Sequence, residues 1–430
     1  MNYSNIFVIL FLVGTAFDFL LNQFLEYIDW SFRKKHGKEV PPELKDHIDS
    51  EKLSQVCAYE DAKYFFWIPK NITGFAVSII LVVSGFYVSV FNSVWNITNN
   101  AFLAVLLFAF LSGLPGTIID IPFNLYREFK IEKKFGFSNM TLKMYILDSI
   151  KSMVLSLVIA IPLLFAVLSF IGKFENWWWL FFGLVYLGFS LVLSYVYPIW
   201  IAPIFNKFVP LEDGELKEKI TVLFEKTGFK TSGIFTMDAS KRSNHSNAYF
   251  TGFGKNKRIV LYDTLLKQLD TEEVVAVLAH ELGHCKHHHI TKRMCIMIPI
   301  VFAVLFAISI LIKSSSLYTG FGFDPQKGFA ALKFVGIFLL SLSFGGFDSL
   351  ANLVSNASSR KDEFQADKYS ASMCGSGKPL STALIKLNSE NLSEIVPPKI
   401  YSVFNYNHPP LLERIRAVNG ESLASINTKC

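Results

Sequence analysis

Residues 147–171 read LDSIKSMVLSLVIAIPLLFAVLSFI, and no charged side chain follows Lys151 in this stretch. A helix that crosses a bilayer needs about 20 mostly apolar residues, so this stretch is long enough to span one. Six further stretches have the same character: 6–27, 72–91, 101–122, 177–204, 293–313 and 331–354. The sequence therefore predicts a predominantly α-helical, multi-pass membrane protein with seven transmembrane helices.

The composition agrees with a membrane protein and argues against other classes. Of 430 residues, 51% are hydrophobic and only 18% are charged, whereas soluble domains have about 25% charged residues. The net charge of +6 comes from loops between the apolar stretches, so we expect the lipid bilayer as a partner and no nucleic acid. The five cysteines are scattered without CxxC spacing, which argues against a disulfide framework or a cysteine-based zinc site.

Basic residues between the apolar stretches indicate how the chain crosses the membrane. The loops 28–71 and 123–146 are rich in Lys and Arg, while 92–100 has none and 172–176 and 314–330 have one each. Cytoplasmic loops carry the excess of basic residues. We therefore expect a lumenal N-terminus and a cytosolic C-terminus.

Two of the seven predicted helices contain residues that disturb regular structure. The third carries Gly113, Pro115 and Asp120, so we expect it to be the least regular of the seven. The seventh carries Gly346 and Asp348, so we expect its second half not to face lipid.

The chain divides into four segments in this interpretation. Helices 1–5 occupy 1–204, a hydrophilic segment follows at 205–292, helices 6–7 occupy 293–354, and a hydrophilic tail covers 355–430. In the first hydrophilic segment the pattern predicts a helix over 216–226 and two strands over 247–250 and 258–261, joined by a turn at 252–257. Both hydrophilic segments face the cytosol and can together form one α+β domain.

The hydrophilic segment contains the motif with the most chemical meaning, TEEVVAVLAHELGH at 271–284. Thr271, followed by two acids, is typical of a helix N-cap. On that helix His280 and His284 lie one turn apart, a spacing that lets two imidazoles bind one Zn²⁺. Glu281 lies beside the first ligand, where its carboxylate can take a proton from the attacking water.

A catalytic zinc site needs a third protein ligand, and the segment after the seventh helix offers one. Glu363 is our candidate, and Asp362 is the alternative from spacing alone. Asp367, one helical turn after Glu363, can accept the N–H of a ligating histidine and fix its tautomer.

The C-terminal tail and the residues after the motif contain further candidates. His408 before two prolines can stabilise an oxyanion, and Arg414 can orient it or hold a substrate carboxylate. His287, His288 and His289 cannot share one helical face, so we expect surface exposure, with His289 the one exception considered.

With these residues assembled, the chain resembles the type I CAAX prenyl proteases, integral-membrane zinc endopeptidases of eukaryotes. The resemblance extends over almost the whole chain. It includes the motif at 280–284 together with DIPFNLY at 120–126, YPIWIAPIFNKF at 197–208, SNHSNAYF at 243–250, KNKRIVLYDTL at 255–265, EFQAD at 363–367 and HPPLLER at 408–414.

The resemblance implies specific roles. It implies Glu363 as third zinc ligand, Asp367 as a residue that supports the ligands, and His408 and Arg414 near the scissile bond. It implies that Asn247, Ala248 and Tyr249 form an edge that pairs with an extended substrate. It further implies seven helices that enclose an intramembrane chamber, with a zincin-like catalytic domain on the cytosolic side and the zinc site at the cytosolic end of the chamber.

The resemblance implies removal of the C-terminal tripeptide from prenylated CaaX proteins, with one Zn²⁺ per chain. It also implies residence in the membrane of the endoplasmic reticulum, with the nuclear inner membrane as the alternative. A second, upstream cut is left open. Two alternatives remain at this point: a membrane quality-control zinc protease of broad specificity, and a non-catalytic membrane scaffold with a structural zinc.

Overall fold

The computed structural model describes residues 1–251 and 258–420, so the predicted turn at 252–257 lies outside the described residues. The N-terminal half is almost entirely helical. Its helices are α1 Ile6–His36, α2 Ser50–Val83, α3 Phe86–Thr98, α4 Ala101–Tyr126, α5 Leu142–Lys173, α6 Trp178–Val196 and α7 Ala202–Phe205. Wider π-helical turns at Arg127–Glu132 and Tyr197–Ile201 continue α4 and α6.

A small sheet follows the first six long helices. The elements of this region are β1 Phe208–Pro210, α8 Glu215–Thr227, β2 Ile234–Met237, β3 Ala248–Thr251, β4 Arg258–Tyr262, α9 Asp263–Gln268 and α10 Thr271–Lys286. The strand order is β1-β2-β4-β3, with β2 and β4 parallel and both outer pairings antiparallel. The predicted helix at 216–226 and both predicted strands are confirmed within one or two residues.

Helices return after α10 and continue to the last described residue. They are α11 His289–Leu311, α12 Ser315–Phe321, α13 Phe329–Gly345, α14 Asp348–Cys374, α15 Lys378–Glu390, α16 Lys399–Asn405 and α17 Leu411–Val418.

Six of these helical stretches are long and apolar enough to cross a membrane, and α13 with α14 makes a seventh when counted as one bent span. The two helices of that pair differ in direction by 72°. Gly346 lies at the bend, where a Cβ would come within 2.1 Å of the Gly14 carbonyl carbon on α1, so only glycine allows this approach. The predicted fold class, a predominantly α multi-pass membrane protein with a small α+β domain, is confirmed.

Two details of the membrane helices differ from the sequence-based expectation. The predicted second span, 72–91, is interrupted: α2 ends at Val83, and Gly85 takes the left-handed conformation before α3 begins. Apolar side chains continue across this break, so hydrophobicity alone did not reveal it. The predicted irregularity of the third span is wrong, because α4 runs without a break through Pro115 and Pro122.

The start of α10 also differs in detail. The N-cap is Asp270, not Thr271: the Asp270 carboxylate accepts from the Glu273 N–H at 3.0 Å, and Glu273 accepts from the Asp270 N–H at 2.9 Å. This reciprocal capping box satisfies two backbone donors that a helix start otherwise leaves open. It fixes where α10 begins, about two and a half turns before His280.

Apolar side chains form two main cores in the described residues. One core packs α1, α3, α4 and α13 together, and its large buried members include Phe11, Phe91 and Phe108. The other packs the sheet against α8 and α10 through Ile220, Ile259 and Leu278 among others. α14 packs along α10 and so joins the helical bundle to the sheet region.

Candidate metal centre

Helix α10 presents two imidazoles at one point of its surface. His280 and His284 lie four residues apart, and their Nε2 atoms are 3.2 Å from each other. His280 is buried, with 6% of its surface exposed, and His284 is partly exposed. Two ring nitrogens that point at one spot are the arrangement expected of metal ligands.

Helix α14 brings a carboxylate to the same spot. Glu363 Oε2 lies 3.4 Å from His280 Nε2, and Glu363 Oε1 lies 3.3 Å from His284 Nε2. Ligands about 2.0–2.1 Å from a tetrahedral zinc are about 3.4 Å from one another. Each imidazole nitrogen therefore has a Glu363 oxygen at about the distance expected between two ligands of one tetrahedral zinc, and such a site keeps a fourth position for water or substrate.

The hydrogen bonding and charge of Glu363 and His280 also suit a bound cation. Glu363 Oε2 is buried and accepts no hydrogen bond of good geometry, although ring nitrogens lie close to it, and an orphaned carboxylate oxygen suits a metal ligand. Burial by itself disfavours the imidazolium, yet Asp367 and Glu363 raise the pKa of His280 to about 9. The pocket thus attracts positive charge despite its burial.

A close helix crossing lets α14 reach these histidines. Gly283 lies between the two ligands of α10, and a Cβ there would come within 2.8 Å of the Ala366 Cα. The Ser370 hydroxyl donates to the Ala276 carbonyl at 2.7 Å and ties the two helices further along. Glu363 and Asp367 lie on either side of this crossing, one turn apart, and both face α10.

The second ring nitrogen of His280 is held by a carboxylate. Asp367 Oδ1 lies 2.7 Å from His280 Nδ1, and Asp367 is 1% exposed. Arg414 of α17 donates to the same carboxylate in fork geometry, with Nε 2.9 Å from Oδ2 and Nη2 2.6 Å from Oδ1. This carboxylate fixes the ring orientation and the tautomer that leaves Nε2 free for a metal.

Two of the tail residues meet this site. His408 Nδ1 lies 2.8 Å from Glu363 Oε2, and 56% of the His408 side chain is exposed, so its ring is open to a substrate. The Arg414 guanidinium is engaged by Asp367 and is largely buried. Its described contacts are those of a residue that supports the ligands, and its assignment to substrate binding stays a prediction.

Glu281 follows His280 on α10 and is partly buried. Burial raises the pKa of its carboxyl above the ordinary value, while the neighbouring histidines oppose this effect. A general base works best when its pKa approaches the working pH. The surroundings therefore raise the pKa of Glu281 towards the range in which a carboxylate can take up and release a proton.

The predicted substrate edge lies at the side of the sheet. Strand β3 contains Ala248 and Tyr249, is the outermost strand next to β4, and also packs against α10. Asn247 precedes it and accepts from the Tyr262 N–H through its backbone carbonyl at 3.1 Å. An outer strand has unpaired backbone groups that an extended peptide can bond.

The structure brings together all predicted ligands and reveals residues that the sequence did not. Asp362, the alternative third ligand, lies outside the group that could hold a metal, which consists of His280, His284 and Glu363. His289 is buried and contacts His284, and His287 is partly buried and stacks on His289, so of the three histidines His288 follows the expectation of exposure. His245 stacks on Phe137 and contacts Asn391 Oδ1 at 3.1 Å, just before the predicted substrate edge. The stretch SNHSNAYF at 243–250 is part of the family resemblance, but no spacing pattern in the sequence indicated a role for His245 itself.

Comparison with known proteins matches two family models to successive parts of the chain. Residues 30–207 match the family model described as CAAX prenyl protease N-terminal, five membrane helices, and residues 210–422 match peptidase family M48. A CAAX prenyl protease 1 homolog of Arabidopsis thaliana is 36% identical over 89% of this chain and 91% of its own length. CAAX prenyl protease 1 of Saccharomyces cerevisiae is 33% identical over 95% of each chain.

A solved structure shares the architecture as well. The crystal structure of S. mikatae Ste24p superposes with a TM-score of 0.87 at 34% identity, over 95% of this chain and 98% of that one. The chain therefore belongs to the CAAX prenyl protease family of M48 zinc metallopeptidases.

Proposed function

We propose that this protein is a zinc-dependent endopeptidase that removes the C-terminal tripeptide from prenylated CaaX proteins. The observation that carries the proposal is the grouping of His280, His284 and Glu363. The two Nε2 atoms lie 3.2 Å apart, and each has a different Glu363 oxygen at 3.3–3.4 Å, which suits ligands of one tetrahedral zinc with an open position. The names of the relatives, CAAX prenyl protease 1 in plant, yeast and human, supply the substrate class.

His280, His284 and Glu363 would hold one Zn²⁺ per chain, which when bound acidifies water and polarises the scissile carbonyl. Glu281 takes a proton from the water whose oxygen attacks the carbonyl carbon. It then gives that proton to the leaving amine as the C–N bond breaks. His408 donates to the oxyanion that forms at the carbonyl oxygen, and Asp367 with Arg414 keeps His280 in the ligating tautomer.

The substrate backbone would bind the outer edge formed by Asn247, Ala248 and Tyr249. A cavity of about 720 Å³ lies between α1, α2 and the C-terminal segment and has His408 and Arg414 in its lining, so it gives a substrate tail room beside the site. With the predicted topology, the site faces the cytosol and the N-terminus faces the lumen of the endoplasmic reticulum. That orientation suits a substrate prenylated on the cytosolic side.

The test is cleavage of a synthetic farnesylated CaaX peptide by the purified protein in detergent. Wild type, Glu281→Ala and chelator-treated protein are compared, each also with an unprenylated peptide. We expect release of the tripeptide by wild type, a loss of at least ~10²-fold in Glu281→Ala with zinc retained, and recovery of the chelated sample on adding zinc.

The other outcomes identify other functions. Equal cleavage of both peptides would favour a quality-control protease of broad specificity. Bound zinc without cleavage of either peptide would favour a scaffold with a structural metal. Substantial cleavage by Glu281→Ala would remove Glu281 from its proposed role.

A further inference from the structure

His289 occupies an unexpected position behind the metal centre. It is the first residue of α11, is 5% exposed, and lies against His284 with Nδ1 to Nδ1 at 3.0 Å. In one continuous helix, residues 284 and 289 would be about 140° apart around the axis and could not meet, since contacts occur at i+3 and i+4. The contact therefore depends on the break between α10 and α11.

The break is made by a residue in a strained conformation. His288 is exposed and has φ 55°, in the left-handed region that few residues other than glycine adopt. Such a conformation is unfavourable for a residue with a side chain and persists only where the surroundings require it. Here it turns the chain so that the next side chain, His289, points back to the ligand His284.

The contact continues from His289 to the other ligand helix. His289 Nε2 lies 3.1 Å from Gln365 Oε1 and 3.5 Å from Asp362 Oδ1, both on α14. These two residues flank Glu363 in the sequence. A series of polar contacts thus runs from a ligand of α10, through His289, to the helix that supplies the third ligand.

The proton positions in this series follow from a single requirement. His284 Nε2 faces His280 and Glu363, so this nitrogen must be unprotonated to bind a metal. In a neutral imidazole the other nitrogen, Nδ1, then carries the proton and donates to His289 Nδ1. His289 must in turn be protonated at Nε2, from which it donates to Gln365 Oε1.

From this geometry we infer that His289 is a positioning residue for the metal centre: it accepts from His284 Nδ1 and fixes the tautomer and ring orientation of that ligand. Asp367 does the same for His280, so each ligating imidazole is held from behind by a different group. The inference rests on the zinc site of the proposed function, but not on any particular substrate.

The test measures zinc binding without substrate. His289→Leu removes the acceptor at similar volume, while His289→Asn places an amide oxygen as many bonds from the backbone as Nδ1 and keeps the acceptor. His288→Asn is the matched control, because it removes an exposed neighbouring histidine and asparagine tolerates the left-handed conformation. Zinc affinity is measured by competition with a chelator, and the Co²⁺-substituted proteins are compared by visible absorption.

We expect His289→Leu to bind zinc about 10–100-fold more weakly, the usual cost of losing a partner that orients a ligand. Its Co²⁺ spectrum should change shape, because the His284 ring can turn. His289→Asn and His288→Asn should match wild type in both measurements. Equal zinc affinity and equal spectra for His289→Leu and wild type would overturn the inference.

Two further measurements keep the test decisive. The unfolding temperature of each zinc-free variant shows whether it is folded. If His289→Leu does not fold, Gln365→Leu replaces it, because Gln365→Leu removes the acceptor for His289. Gln365→Leu is then expected to weaken zinc binding in the same direction. If wild type itself binds no zinc, the proposed function fails, whereas zinc binding that is indifferent to both variants contradicts the inference alone.

Discussion

Glu363 is the third residue, after His280 and His284, of the group that could hold a metal ion. Each of its two oxygens lies within 3.4 Å of the Nε2 atom of a different histidine, and the side chain is buried. A buried carboxylate needs compensating positive charge. Glu363 therefore contributes a ligand atom, and its negative charge would neutralise half of the charge of a divalent cation.

Replacing Glu363 by alanine should abolish tight zinc binding. With only two protein ligands left, we expect an affinity loss beyond the ~100-fold that marks the upper range for losing a supporting residue. The measurement is chelator competition on the purified protein.

Asp362→Ala is the matched control, because this neighbouring carboxylate lies outside the ligand group. It should weaken zinc binding far less than Glu363→Ala does, because its described contact near the site is the one at 3.5 Å with His289. A larger loss in Asp362→Ala than in Glu363→Ala would show that the third ligand is misassigned.

At the scale of elements, the site depends on how closely α10 and α14 cross. Gly283 and Ala366 are the residues in contact at the crossing, and the ligands lie on either side of it. A helix pair with larger side chains here would be further apart. The distance between Glu363 and the histidines is thus set by a glycine that itself has no chemical role.

Gly283→Ala should weaken both the fold and the metal centre. The new Cβ would lie 2.8 Å from the Ala366 Cα, and such overpacking costs about 1–3 kcal/mol. We expect a lower unfolding temperature and weaker zinc binding, both measured in detergent.

Gly74→Ala in α2 provides the comparison, because a Cβ there meets nothing within 4 Å. It should keep zinc affinity unchanged. If Gly283→Ala behaved like Gly74→Ala, the close crossing would not be what positions Glu363.

At the scale of the whole molecule, a buried cluster of charges ties the first two helices to the C-terminal segment. Arg33 of α1 contacts Asp29 at 2.5 Å, Asp61 of α2 at 3.2 Å and Glu394 at 3.5 Å. Glu394 follows α15 and lines the same cavity as His408. The cluster thereby fixes α1 and α2 relative to the C-terminal segment that contains Glu394.

The cluster holds more acidic groups than basic ones, and this predicts a dependence of stability on pH. Burial, followed by the charge of Asp29, raises the pKa of Glu394 far above its ordinary value, although Arg33 opposes this. A raised carboxyl pKa means that the folded state holds the proton which the unfolded chain releases above about pH 4.3. Its contribution to stability is therefore complete below that pH and is lost as the pH rises towards the folded-state pKa.

Glu394→Gln removes this titration while keeping the shape of the side chain. We expect the variant to gain stability relative to wild type as the pH rises from 6 to 8, by at most about 1.4 kcal/mol per pH unit. Unfolding temperatures of both proteins across this range test it. Parallel pH profiles would contradict the prediction, and Glu390→Gln, at an exposed ion pair with Lys52, should show such a parallel profile.

The amino-acid sequence determined those features that depend on neighbours along the chain. The apolar stretches predicted the membrane helices because crossing a bilayer requires length and hydrophobicity in one segment. The pair His280 and His284 could be assigned because four residues make about one turn of a helix. The same locality caused the errors: Asp270 and Thr271 both suit an N-cap, and hydrophobicity does not report the left-handed Gly85 between α2 and α3.

Only the tertiary structure decided which distant residues meet these local features. It placed Glu363 rather than Asp362 at the histidines, because the Gly283 crossing selects which face of α14 lies against α10. It brought His289 to His284 through a turn at His288 that no helical period describes. Helical periodicity predicts a face for each residue, but which two faces meet depends on how the helices pack, and that is a property of the whole chain.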